Sequence, residues 1–358
     1  MNNRLADLNE RVKARLDAIN DPISGKGLFT SGRIAGLNCR DGGKVSFTIE
    51  APGGVVELYA PVRDRAESEV RAVPGVASVL AVLTAHDAKP ARAGGVGGVK
   101  QIIAIASAKG GVGKSTVAVN LACAFRALGL KTGLLDLDVY GPSAPTLLGI
   151  AGQKPRARED KVLEPIETHG LKTMSIGYLV DPNSPMIWRG AMATSAVRQM
   201  LDDVAWGDLD VLVLDLPPGT GDVLLTLVQR TPLAGAIIVS TPQEMALADV
   251  RRGIAMFEKT HAPILGIIEN MAYFETPDGV RTHIFGEGGA RRVAQEAGAP
   301  FLGELPIVVA LREASDAGAP LVAAQPGHPL AQLFKAIAQA ARENITRLNK
   351  AAPRISIA

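Results

Sequence analysis

The sequence predicts an α/β protein: a doubly wound, mostly parallel sheet preceded by a small α+β domain. Three observations carry this. From residue 100 onward, near-continuous Val/Ile/Leu runs alternate with helical stretches, the pattern of parallel strands buried on both faces. The first 87 residues follow a different order, helix, two strand-like runs, helix, strand. Between the two lies "DAKPARAGGVGGV", rich in Ala, Gly and Pro and without periodicity.

In the first unit, residues 1–87, Leu5, Leu8, Val12, Leu16 and Ile19 recur at helical spacing until "NDP" breaks the helix. "LFTSGRIAGLNC" and "GKVSFTIEAP" read as strands, "VRDRAESEVRAV" as a second helix, and "VASVLAVLTA" as a closing strand after a "PG" turn. Residues 88–99 form the linker, and the second domain runs from 100 to 358. Its strands are "QIIAIAS", "TGLLDLD", "LKTMSIG", "DVLVLDLP", "GAIIVST", "APILGIIEN" and "FLGELP". The terminal stretch "LAQLFKAIAQAARENITRL" places Leu330, Leu333, Phe334, Ile337 and Ile345 on a helical period, which reads as core packing rather than a membrane helix, because its basic residues are few.

Composition excludes several classes of function. A chain of 358 residues with 47% hydrophobic and 21% charged residues has ample core for two domains. The net charge of +2, with acids and bases interspersed, gives no nucleic-acid surface. Two cysteines, Cys39 and Cys123, make no disulfide framework, no apolar run approaches a membrane span, and the charged N-terminus is unlike a secretory signal. The expected compartment is the cytoplasm.

The stretch "ASAKGGVGKST", residues 106–116, stands between the strand "QIIAIAS" and the helix "STVAVNLACAFRALG". In that context Ala108, Lys109, Gly110, Gly111, Val112, Gly113, Lys114, Ser115 and Thr116 read as a phosphate-binding loop. Glycines let backbone N–H groups close on phosphate oxygens at a helix N-terminus, Lys114 supplies charge, and the Ser115 hydroxyl joins a magnesium shell. "GLLDLDVYGPS" sets Asp136 and Asp138, and "VLVLDLPPGTGD" sets Asp215, at strand C-terminal ends, where open α/β sheets bind ligands. Asp222 reads as a helix N-cap. Position 108 is alanine where the common loop has glycine, and Lys109 follows it as a second lysine. Such an outward cation is idle unless another chain presents phosphate to it.

The loop resembles the deviant Walker A motif KGGxGK[ST] of the ParA, MinD and nitrogenase iron protein superfamily. "DVYGPSAPTLLG", "MIWRGAM", "DLPPGTGD", "GIIENMAYF" and "IFGEGGARRVA" further resemble the Mrp/ApbC/Nbp35 family of iron-sulfur cluster carrier ATPases. "DPISGKGLFTSGRIAGL" and "PGVASV" resemble the MIP18-like domain fused ahead of many bacterial members. The resemblance implies a homodimeric, magnesium-dependent, slow ATPase that binds ATP and carries clusters between a scaffold and apo-protein clients. By it, Lys109 reaches the partner's nucleotide, Asp138 orients the attacking water, Asp215 and Asp136 hold magnesium through water, and Asn270 contacts adenine.

The sequence departs from that family in one respect. Many members carry CxxC after "ENM", whereas this chain reads "ENMAYFETPDGVRTHIFG" with Thr276 and Gly279 near the expected positions and no cysteine from 124 to 358. Gly54 stands where some MIP18-like relatives have a reactive cysteine. Cys123 reads as core, and Cys39 as an exposed thiol that a dimer brings to a cluster if the linker permits. His283 reads either as a substitute ligand or as ordinary polar surface, and Glu275 and Asp278 suit a hard cation better than a cluster. Trp188 and Arg189 read equally as a dimer or client surface and as packing against the sheet. Two functions therefore stand: a cluster carrier with unorthodox ligands or acting on a partner's cluster, and a ParA/MinD-like ATPase switch that organises a partner without a cluster.

Overall fold

The computed structural model describes residues 2–40, 42–52, 55–86, 96–139, 141–160, 162–179, 190–219, 224, 227–228, 231–276 and 278–351. Gly54, Trp188, Arg189, Asp222 and most of the expected linker lie outside them. The chain divides into two compact units, Met1–Ala93 and Gly94–Ala358.

The first unit runs α1 (Asn2–Asp17), β1 (Ile34–Arg40), β2 (Lys44–Pro52), α2 (Val56–Arg71) and β3 (Ser78–His86). The sheet order is β1-β2-β3, antiparallel and then parallel. Val45, Phe47, Ile49 and Ala51 alternate inward along β2 and meet Leu8, Val12 and Leu16 of α1, so a period of two packs against a period of 3.6. The first strand is shorter than its apolar run implies. Thr30–Gly32 form a turn instead, tied down by hydrogen bonds from the Thr30 N–H and hydroxyl to the Asp17 carboxylate, at 2.7 and 2.8 Å. The "NDP" break is also more than a breaker. Asp21, buried, accepts from Tyr59 at 2.5 Å and from Arg33, Ser24 and the Ile23 N–H at 3.0 Å each. Burial works against its charge, but these bonds outweigh burial and hold the carboxyl well below the usual range.

The second unit contains β4 (Val99–Ala106), α3 (Lys114–Ala127), β5 (Thr132–Asp136), α4 (Ala144–Leu147), β6 (Ile166–Thr168), β7 (Leu171–Ser175), α5 (Gly190–Asp202) and β8 (Leu209–Asp215). It continues through β9 (Gly235–Ser240), α6 (Glu244–Lys259), β10 (Ile264–Glu275), β11 (Arg281–Thr282), α7 (Gly289–Glu296), β12 (Phe301–Ile307), α8 (Val309–Asp316), α9 (Leu321–Ala324) and α10 (Pro329–Ala351). The sheet path is β11-β10-β9-β4-β8-β5-β7-β6, with β12 also on β10. Pairing is parallel except at β6–β7 and β10–β11. All seven expected strands are present, and each of β5, β8 and β9 is almost wholly buried, which is why those runs show no alternation.

This order positions the site. β4 lies between β8 and β9, while the next strand in sequence, β5, lies beyond β8. The chain thus winds away from β4 in both directions, and the crevice opens at the C-terminal end of β4. Leu330, Phe334, Ile337 and Ile345 of α10 are buried in the core, as their spacing implied, whereas Leu333 is 38% exposed. No helix among the described residues is long and apolar enough to cross a membrane.

Candidate functional site

The loop leaves β4 at Ser107 and enters α3 at Lys114. Two hydrogen bonds fasten its start: Ser107 Oγ donates to the Lys109 carbonyl at 3.0 Å, and the Gly219 N–H donates to the Ser107 carbonyl at 2.9 Å. Gly111 and Gly113 both adopt φ 81°, a conformation that L side chains rarely take. Gly113 is constrained a second time, since a Cβ there would lie 2.3 Å from Asn270 Nδ2. That amide donates to the Val112 carbonyl at 2.8 Å and is 5% exposed, so Asn270 braces the loop, a task its place in the sequence did not announce. Thr116 follows on α3, where its carbonyl accepts from Asn120.

Lys114 is 6% exposed, with Nζ 2.5 Å from Asp215 Oδ1, 3.9 Å from Asp138 Oδ2 and 3.3 Å from Ser115 Oγ. Asp136 and Asp215 are opposite each other in register across β5 and β8. Their surroundings differ. Both oxygens of Asp136 are taken, Oδ1 by the Asp138 N–H and Oδ2 by the Ala144 N–H and Ser175 Oγ, all within 3.0 to 3.1 Å. Burial, with Asp215 close by, pushes its carboxyl well above the usual range. Asp215 Oδ2 is buried without a hydrogen-bond partner. A buried carboxylate oxygen with no donor fits the water shell of a magnesium ion, with the Ser115 hydroxyl on the adjoining turn, whereas Asp136 reaches such an ion only by giving up a bond. Lys109, with Gly110 and Gly111, is exposed and has no ion pair among the described residues.

Sequence reasoning missed Ser175 and Glu269. Glu269 is buried and accepts from the Gly288 and Ala290 N–H groups at 3.2 and 2.6 Å, so β10 caps the start of α7 beside Asn270. Neither partnership has a local sequence signal.

The positions of the absent cysteines fall on the turn between β10 and β11. Thr276 N–H donates to the Val280 carbonyl at 3.0 Å, and Gly279 has φ 84°. Nearby, Glu275 pairs with Arg281 at 2.7 Å, Asp278 accepts from the Thr276 hydroxyl, and His283 Nδ1 lies 3.1 Å from the Ala272 carbonyl. Among the described residues no group of three or more His, Cys, Asp or Glu side chains is placed to hold a metal ion. Cys123 is 4% exposed on α3, and burial pushes its thiol up to about 12. Cys39 is half-buried, with Sγ 3.8 Å from Asn9 Oδ1, and burial raises it as well. At about pH 8 a thiol reagent is therefore expected to modify Cys39 slowly and Cys123 not at all until the chain is unfolded. Mass spectrometry of the labelled peptides checks this, and rapid labelling of Cys123 in folded protein would contradict its burial.

Residues 98–342 match the family model of the NUBPL iron-transfer P-loop NTPases, and residues 9–81 match that of an iron-sulfur cluster assembly protein. An iron-sulfur cluster carrier protein of Synechocystis is 44% identical over 339 residues, covering 92% of this chain and 96% of the relative. The nucleotide-binding protein of Archaeoglobus fulgidus, solved in complex with ADP, is 42% identical with a TM-score of 0.57, covering 66% of this chain and 92% of that one. The cell division ATPase MinD of Pyrococcus furiosus shares the fold at 20% identity and a TM-score of 0.50, covering 68% of this chain and 98% of that one. With a phosphate loop at the switch point of a parallel sheet and an iron-sulfur assembly domain earlier in the sequence, the chain belongs to the NUBPL/Mrp family of iron-sulfur carrier P-loop NTPases.

Proposed function

We propose that the chain is a cytoplasmic, homodimeric ATPase that hydrolyses ATP slowly and uses the cycle to deliver iron-sulfur clusters to apo-protein clients. The observation that carries this is the buried Lys114, held by Asp215 and Asp138 at the mouth of the phosphate loop. The β- and γ-phosphates draw Lys114 from the carboxylates. Asp138 orients the attacking water, and the partner's Lys109 adds the charge that the leaving phosphate needs. Ser115 and Asp215 would hold magnesium, which would supply further neutralisation of the phosphates. Asn270, already buried against the loop, marks the adenine side.

The cargo step has no family thiol pair. Because thiolate is the ordinary cluster ligand, isolated protein reconstituted with iron and sulfide without oxygen is expected to hold cluster weakly and lose it in air, with residual binding dependent on Cys39. The double variant Thr276→Cys/Gly279→Cys should raise the iron and sulfide content. The backbone at Gly279 resists any L residue by about 1 kcal/mol, small beside thiolate coordination. A stable, stoichiometric cluster in Cys39→Ser would show that the ligands lie elsewhere. The missing thiols also favour the second reading, a ParA/MinD-like switch acting on a partner. Transfer assays decide between them: a switch accelerates no client's maturation, with or without ATP.

A further inference from the structure

β10 is interrupted where it passes the phosphate loop. Its pairing with β9 ends at Glu269↔Ser240, and between Asn270↔Leu305 and Phe274↔Ile307 it runs four residues against two on β12. Within that bulge Met271 has φ 56°, in the left-handed region. The other described non-glycine residues with positive φ, His169 and His261, lie in turns. Methionine has no short polar side chain to stabilise this backbone locally, so the surroundings must impose it. The consequence is visible one residue earlier. Asn270, past the last pair with β9 but still in register with Leu305 of β12, donates its side-chain amide to the Val112 carbonyl at 2.8 Å, while Met271 Cε lies 3.6 Å from where a Gly113 Cβ would stand. A single bend thus touches two successive residues of the phosphate loop from 158 positions away in sequence.

We propose that Met271 is a positioning residue for the phosphate loop: its left-handed backbone sets the Asn270 amide on the Val112 carbonyl and keeps the loop shaped for phosphate before nucleotide arrives. Were Met271 to relax to an extended backbone, Asn270 would swing along the strand and the buried Val112 carbonyl would lose its donor. The loop would then have to be ordered by the nucleotide, and affinity would fall by the cost of that ordering. The inference rests on the nucleotide reading of the loop and deepens it: the left-handed backbone of Met271 does the positioning, and its side chain beside Gly113 only helps to hold that backbone in a residue that does not favour it.

ADP titration calorimetry on the full chain tests this with Met271→Gly, Met271→Asn, Met271→Ala, Met271→Val, Asn270→Ala and the double variant Met271→Val/Asn270→Ala. Glycine and asparagine enter the left-handed region readily, so both should bind ADP within about twofold of the unmutated chain although the side chain is gone. Alanine should bind more weakly, and valine weaker still, by about tenfold. In the Asn270→Ala background the valine change should add nothing, since it acts through that amide. An ordering by side-chain size, with glycine worst, would overturn the proposal, as would additive losses in the double variant. If Met271→Val does not fold, the glycine and alanine pair makes the same test, and equal affinities there would overturn it. A chain that binds no ADP before any mutation would instead refute the nucleotide site itself, a failure distinct from normal affinity in Met271→Val.

Discussion

Lys114→Ala is expected to abolish ATP turnover and to weaken nucleotide binding by about two orders of magnitude, since loop amides alone cannot replace a full charge on the phosphates. The fold adds a second effect. Without nucleotide, Lys114 is the cation beside Asp215 and Asp138, and Asp136 stands in register next to them. Removing it leaves the buried Asp215 carboxylate without its cation, a change that costs about 3–5 kcal/mol in comparable buried pairs. Lys114→Ala should therefore melt lower than the unmutated chain. Lys114→Ala/Asp215→Asn separates the two effects: thermal stability should largely return, while phosphate release stays absent. Hydrolysis at the normal rate in Lys114→Ala would remove the phosphate-loop assignment altogether.

That double role shows which parts of the site the sequence could disclose. Lys114, Asp136 and Asp215 are legible because each is defined by its immediate neighbours, a glycine-rich turn or the end of an apolar strand. Their partners are not. Ser175 reaches Asp136 from 39 residues away and Asn270 reaches Val112 from 158, so only the closed sheet brings them together. The same division holds for the fold. Strands buried on both faces announce themselves as apolar runs, but β6 and β11, three and two residues long, are too short to carry a period. Helix α2 begins at Val56 and runs through Pro61, which a reading from the sequence takes as a boundary. The bulge in β10 was the least legible of all, because the strand read from "APILGIIEN" stops at Asn270 and nothing local asks Met271 for a left-handed backbone.

Lys109→Ala is expected to lose about a thousandfold in turnover while keeping measurable ATP affinity, the pattern of a charge used in the transition state and supplied from another chain. The geometry favours supply in trans. Lys114 already serves the loop from within, whereas Lys109 is exposed beside the open glycines 110 and 111 and has no ion pair among the described residues. A surface lysine without a counter-ion is well solvated, and only phosphate from a second protomer would give it work. Mixing tests this directly. Asp138→Ala should also be dead, because it lacks the group that orients water. In a mixed dimer, one composite site combines Lys114 and Asp138 of the Lys109→Ala chain with Lys109 of the Asp138→Ala chain. The opposite site lacks both functions. With random pairing in a two-fold dimer, half the dimers are mixed and half their sites are competent, so an equal mixture should recover about a quarter of the unmutated rate per chain. Rates read against the mixing ratio should peak near equal amounts. If native mass spectrometry finds the mixed dimers and the rate stays at the level of the single variants, Lys109 does not cross the interface.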